Sequence, residues 1–125
     1  MKAESINWNA FDPLCPTRAL LDRIGDKWTV LIMVALQGGA MRFGALRREL
    51  GNIAPKVLTS KLRGLEEAGL LVRRVLATSP VSVEYELTAM GQSLHRVIGK
   101  LKDWAEQNMA EVLKARALAE RNAVP

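Results

Sequence analysis

The stretch that begins Met41-Arg42-Phe43-Gly44-Ala45-Leu46-Arg47-Arg48-Glu49-Leu50-Gly51-Asn52-Ile53-Ala54-Pro55 and runs on to Leu87 decides how this chain folds. Phe43, Leu46 and Leu50 fall at helical spacing, which predicts a short basic helix. Gly51-Asn52-Ile53-Ala54 follows, a turn of about the length that joins the two helices of a helix-turn-helix. A second helix begins at Pro55, a residue suited to the first helical turn, and extends to Glu67. Leu58, Leu62 and Leu65 recur on one face with Gly69 after them on the same side, so that face is expected to be buried. At roughly 100° per residue the opposite face shows Lys56, Ser60 and Arg63, with Thr59 beside them and Lys61 on the flank. Leu70–Leu76 then reads as a strand. Val81, Val83, Tyr85 and Leu87 alternate with Ser82, Glu84 and Glu86 as a half-buried strand does, and Pro80 belongs in the loop between the two runs. A lone hairpin is marginally stable, so this one must pack on the helices as a wing does. The fold class expected is mainly α with a small β-hairpin: a winged helix-turn-helix with its recognition helix at about 55–67 and its wing at about 70–87.

The flanking segments complete the domain. Residues 1–14 read as an N-terminal arm whose Trp8 and Phe11 need a partner surface. Pro16 opens a helix with Ala19, Leu20 and Ile24 on one face, and Gly25 stops it. Asp26 is an expected N-cap for the next helix, in which Trp28, Val30, Leu31, Ile32, Val34, Ala35 and Leu36 are apolar all round, as in a helix buried on most sides. Thr88 caps a long helix at about 89–120. Its stripe of Leu94, Val97, Ile98, Leu101, Trp104 and Ala105 exceeds what one small core covers, and Met109, Val112 and Leu113 extend it. The remainder is expected to meet a second copy of the chain, together with the arm. Residues 15–125 therefore form one domain.

The formal net charge is +5, and its position matters more than its size. Arg42, Arg47, Arg48, Lys56, Lys61, Arg63, Arg73 and Arg74 face only Glu49, Glu66 and Glu67 within residues 41–75, whereas the segments before and after balance to zero. A positive excess confined to one motif points to an anionic partner there. No apolar run approaches the roughly 20 residues of a membrane span. The first residues, Met1-Lys2-Ala3-Glu4-Ser5, lack the head and apolar core of a signal peptide, so a cytoplasmic location is expected. One cysteine, Cys15, and one histidine, His95, leave no ligand set for a structural metal, and no cofactor is expected. There is no paired-carboxylate or nucleophile–base constellation of an enzyme.

Cys15-Pro16, Ile24-Gly25-Asp26-Lys27-Trp28, Arg42-Phe43 with Leu46, Pro55-Lys56-Val57-Leu58, Leu62-Arg63-Gly64-Leu65-Glu66, Gly69-Leu70 and Val83-Glu84-Tyr85-Glu86-Leu87-Thr88 with Gly91 stand in one order. In that order and spacing the chain resembles the HxlR-type bacterial winged-helix transcriptional regulators, relatives of the MarR-like repressors. The resemblance implies a homodimer that binds double-stranded DNA at a roughly palindromic operator, with the wing reaching the neighbouring backbone or minor groove. It also implies that the first and last helices form the dimer interface, for which Trp8, Phe11, Leu94, Val97, Ile98, Leu101 and Trp104 are the candidates. Three positions depart from the family pattern. Ala54 replaces a Ser that would cap the recognition helix, a loss of about 1 kcal/mol that Asn52 is placed to offset. Ser82 replaces a basic residue near the wing tip, which weakens the wing contact. Leu76 replaces a frequent aromatic, a variation within the core.

Expected roles follow. Lys56, Thr59, Ser60 and Arg63 read base edges, and Arg42, Arg47, Arg48 and Lys61 hold phosphates. Arg73 and Arg74 fall on opposite strand faces, so at most one meets DNA, and Arg74 is assigned to it. Cys15 has two readings. It is an oxidant or electrophile sensor, its thiol acidified by the helix N-terminus and Arg18, or a small packing residue between arm and core. Trp28 and Trp104 are core and interface residues, either of which is also placed to line a small-effector pocket. A protein-interaction module for an acidic partner is the alternative to a DNA-binding regulator.

Overall fold

The computed structural model of the protein describes residues 6–123, so the first five residues of the expected arm, and the signal-peptide question with them, lie outside the described residues. Five α-helices and three short strands follow one another: α1 (Pro16–Ile24), α2 (Lys27–Ala35, extended by a 3-10 turn at Leu36–Gly38), β1 (Met41–Arg42), α3 (Phe43–Glu49), α4 (Pro55–Glu67), β2 (Leu71–Leu76), β3 (Ser82–Leu87) and α5 (Ala89–Arg121). The helices start where local chemistry permits. Asp26 Oδ1 accepts the Thr29 N–H at 2.9 Å to cap α2, and Thr88 Oγ1 accepts the Gly91 N–H at 3.0 Å to cap α5. The Thr88 hydroxyl also donates to the Gly69 carbonyl at 2.7 Å, tying the end of α4 to the start of α5.

The core is built from one side of each element. Ile32, Met33 and Leu36 of α2 and its 3-10 turn, Leu46 of α3, and Leu58, Leu62 and Leu65 of α4 are fully buried. Each such side chain contributes about 1.5–3 kcal/mol of burial. Leu71, Tyr85 and Leu87 close the core from the sheet, and Ile98 closes it from α5. α2 is less enclosed than its composition predicts, because Leu31 faces outward. α1 has no fully buried residue; only Ile24 packs against the core, while Leu20 and Leu21 remain exposed.

The sheet has three strands in the order β1-β3-β2, all antiparallel, where the sequence shows only two. β1 escapes a periodicity reading because two residues carry no alternation; it exists by pairing Met41 with Tyr85 and Arg42 with Glu84. No helix among the described residues is long and apolar enough to cross a membrane.

Candidate nucleic-acid interface

The turn between α3 and α4 sets the angle of the second helix. Gly51 (φ 74°) and Asn52 (φ 60°) both adopt left-handed backbone, and their N–H groups return to the Arg48 and Arg47 carbonyls at 3.1 and 3.0 Å. Asn52 therefore serves the turn and does not cap α4; Ala54, at the cap position, has no side-chain acceptor. Arg47 Nε donates to the Ile53 carbonyl at 2.7 Å across the same turn. This half-buried arginine, expected among the phosphate contacts, braces the turn through its Nε. At the far end of α4 the N–H groups of Gly69 and Leu70 close on the carbonyls of Glu66 and Leu65. Gly69 is exposed, with φ 77°, and so belongs to the helix stop, not to the buried face assigned to it.

With its leucines buried, α4 shows Lys56, Thr59, Ser60 and Arg63 to solvent as expected. Beside that face opens a groove of about 640 Å3 between α3, α4 and the wing. Arg42, Arg48, Arg63 and Arg73 line it with Thr59, and Phe43 and Tyr85 contribute aromatic surface, their ring centroids 6.5 Å apart. Four arginines, from α3 and its N-cap, α4 and β2, thus line one concavity. Such an arrangement suits phosphate oxygens, which the planar donors of arginine meet in pairs.

The hairpin register decides which wing arginine belongs here. Arg73 pairs across with Tyr85 and shares its face, whereas Arg74 pairs with Glu84. Arg74 reaches Glu86 at 2.7 Å and Glu84 at 3.6 Å, so its charge is spent on its own sheet. The groove thus takes Arg73 from this strand, whereas Arg74, the arginine expected at DNA, stays exposed on the face of Glu84 and Glu86. The alternation of Glu84 and Glu86 was visible in the sequence, but only the register shows which arginine faces them. Lys61 is diverted in the same way: its Nζ lies 2.8 Å from Asp26 Oδ2, on the flank of α4 that faces α2. Burial pushes the Asp26 carboxyl up, but the hydrogen bonds from Lys61 and the Thr29 N–H, with the Lys61 charge, outweigh it and hold its pKa below the ordinary carboxylate value. Lys61, expected among the phosphate contacts, is thus paired within the protein.

The other expected residues separate. Ile98 keeps only 5 % of its surface and belongs to the core, whereas Leu94 is half-buried against it. Val97, Leu101 and Trp104, on the other edge of the same stripe, stay 66, 58 and 58 % exposed, and Trp8 and Phe11 of the arm are exposed too. Trp28 packs against the core beneath Lys27, whose Nζ is 5.0 Å from the ring centroid. An apolar recess of about 310 Å3 between α2 and α5 is lined by Val30, Leu31, Leu101 and Ala105 among others, and by neither of these tryptophans.

Cys15 stands at the N-cap of α1 and is half-buried. Its Sγ accepts the Asn9 N–H at 3.3 Å and lies 3.4 Å from the Thr17 hydroxyl. The bond with the Thr17 hydroxyl is the largest cause holding the thiol pKa below its ordinary value; the N–H groups of Asn9 and Thr17 add to it, and desolvation and the Asp12 charge oppose it. Arg18, expected to acidify the thiol, instead donates to the Phe11 carbonyl at 3.4 Å.

Residues 23–113 match the HxlR-like helix-turn-helix family. The chain belongs to that family. The HTH-type transcriptional regulator YtfH of Escherichia coli (strain K12) is 41% identical over 108 residues, covering 86% of each chain. Among solved structures, the transcriptional regulator ytfH from Salmonella typhimurium superposes with a TM-score of 0.84 at 39% identity, over 89% of this chain and 99% of that one. The redox regulator HypR in its oxidized form superposes with a TM-score of 0.68 at 37% identity, over 75% of this chain and 97% of that one. This HxlR-like chain is thus a helix-turn-helix transcriptional regulator with the winged fold of its relatives.

Proposed function

We propose that this HxlR-like chain is a sequence-specific, dimeric DNA-binding regulator whose grip on its operator responds to oxidation or alkylation of Cys15. The observation that carries the DNA reading is the convergence of Arg42, Arg48, Arg63 and Arg73 on one groove beside the outward face of α4, while Lys61 and Arg74 are neutralised within the protein. Lys56, Thr59, Ser60 and Arg63 read base edges in the major groove; Arg42, Arg48 and Arg73 hold the backbone. The wing tip from Val75 to Val83 carries no charged residue, so its contribution is contact and not charge.

Dimerisation is supported by α5, which spans roughly 50 Å by its rise per residue and buries only Gly91 and Ile98 fully. The open edge at Val97, Leu101 and Trp104, with Trp8 and Phe11 of the arm, is the surface a second copy covers. Two recognition helices related by a two-fold axis, about one DNA turn apart, read a pseudo-palindrome. Oxidant response is supported by the acidified, partly accessible thiol and by the likeness to HypR, a redox regulator. A small apolar effector in the recess at Leu31 and Leu101 is a second route of control, adjoining the same open edge.

Selection of bound duplexes from a random pool, with and without diamide, tests these statements together. A recurrent palindromic site, bound steeply less well as salt rises and released by diamide from the parent but not from Cys15→Ser, is the expected result. Retention of all sequences alike points instead to an acidic protein partner, and a non-repeating half-site removes the dimer. Equal diamide release from parent and Cys15→Ser removes the Cys15 role.

A further inference from the structure

The two flanks of α4 carry charge differently. Facing the wing, four arginines surround the groove. On the other flank a crevice of about 300 Å3 separates α4 from α1 and the start of α2, and Asp22, Arg23, Asp26, Ser60, Lys61 and Gly64 line it. Lys61 is held by Asp26 there, but Arg23 forms no salt bridge among the described residues. Its guanidinium crosses from α1 and lies on Gly64. A Cβ built on Gly64 would collide with Arg23 Nη1 and stand 3.3 Å from its Cζ and 3.7 Å from its Cδ; the three nearest atoms all belong to this one side chain.

Gly64 is buried although it sits on a flank of α4, and Arg23, lying over it, is itself exposed. Glycine inside a helix is less stable than alanine, so helix stability does not account for this residue. Space for the Arg23 guanidinium does. An arginine of α1 thereby covers α4 one turn beyond Ser60, as though it were a side chain of the recognition helix.

We propose that Arg23 contacts the DNA backbone on the flank of α4 opposite the wing, so that arginine meets the phosphates on both sides of the major groove. This rests on the reading of α4 as the DNA-reading helix. A helix in that groove lies between two phosphate strands, and the wing-side arginines address one of them. Lys61 is compensated by Asp26, which leaves Arg23 as the cation without a carboxylate partner among the residues lining the crevice. Asp22 and Asp26 line the same crevice and repel phosphate from it, so the contact is made by the exposed Arg23 at the surface of α4.

The test compares the parent with Arg23→Gln, Gly64→Ala, the double variant and Arg116→Gln, on the selected operator and on random duplex, between about 50 and about 200 mM salt. Arg23→Gln is expected to lower the slope of log K against log salt by about 0.9 for each Arg23 at a phosphate, with similar fold losses on both duplexes. Gly64→Ala, whose methyl group displaces the guanidinium, reproduces that loss while raising Tm, and it adds nothing in the Arg23→Gln background. Arg116→Gln, which removes the same charge near the end of α5, leaves the slope unchanged. An unchanged slope for Arg23→Gln overturns the proposal, as does an equal fall for Arg116→Gln or a Gly64→Ala loss that persists undiminished in the double variant. Failure of the parent itself to bind any duplex instead refutes the reading of α4 on which this rests.

Discussion

Asp26 divides its carboxylate between two elements, and substitution separates the two uses. Oδ1 caps α2 through the Thr29 N–H at 2.9 Å; Oδ2 receives Lys61 of α4 at 2.8 Å. Loss of an N-cap acceptor costs about 1 kcal/mol. The ion pair is about one-third exposed at each end, 34 % for Lys61 and 30 % for Asp26, so its value is discounted to about 0.5 kcal/mol. Asp26→Ala removes both and is expected to cost about 1.5 kcal/mol, a fall in Tm of about 6 °C for a chain of this length. Asp26→Asn keeps a good cap and loses the charge, a fall of about 2 °C. Thermal unfolding followed by circular dichroism at one fixed protein concentration measures both, since association makes Tm concentration-dependent.

The pH dependence follows from the sign of the shift. The folded pKa of Asp26 lies below the unfolded value, so its contribution is complete above the unfolded value near 3.9 and is lost as pH falls through the folded one. The gap between parent and Asp26→Asn is therefore present at pH 7 and closes in strong acid. Equal Tm losses for the Ala and Asn variants would refute the division into cap and ion pair. A gap that persists undiminished below both pKa values would refute the role of the Lys61 charge.

Three further outcomes test the interface, the dimer and the thiol. Arg73→Ala is expected to reduce the salt slope of operator binding by about 0.9 for each phosphate it no longer neutralises, while Arg74→Ala leaves it near the parent value; salt titrations of the two proteins that come out reversed would restore Arg74 to the interface. Replacing Leu101 and Trp104 together by Asp should shift sedimentation equilibrium from dimer to monomer with the helical signal intact, whereas Ile98→Asp should unfold the domain at a cost above about 3 kcal/mol, because it places an unpaired charge in the core. Thr17→Val should move the midpoint of iodoacetamide alkylation at Cys15 upward in pH, since the Thr17 hydroxyl is the main cause of the lowered thiol pKa; an unmoved midpoint would assign that acidity to the backbone N–H groups of Asn9 and Thr17.

What the sequence determined by itself was local. Capping by Asp26 and Thr88, the helical starts at Pro16 and Pro55, the leucine face of α4 and the alternation of Val81 to Leu87 all act within a few residues, so their spacing along the chain already encodes their geometry. Through them the winged helix-turn-helix was legible, and with it the outward set Lys56, Thr59, Ser60 and Arg63. Tertiary structure decided the contacts between residues far apart in the chain. Lys61 finds Asp26 at a separation of 35 residues, and Arg74 finds Glu86 at a separation of 12. The apolar stripe of α5 is split because the core takes Ile98 and part of Leu94, while Val97, Leu101 and Trp104 face outward. A charge count places the positive excess in residues 41–75, but pairing removes Lys61 and Arg74 from that excess, and the fold brings Arg23 to Gly64 from outside it. Periodicity shows which way a side chain points from its own element. Whether that direction meets a carboxylate, a core, a second chain or a phosphate depends on how the elements pack.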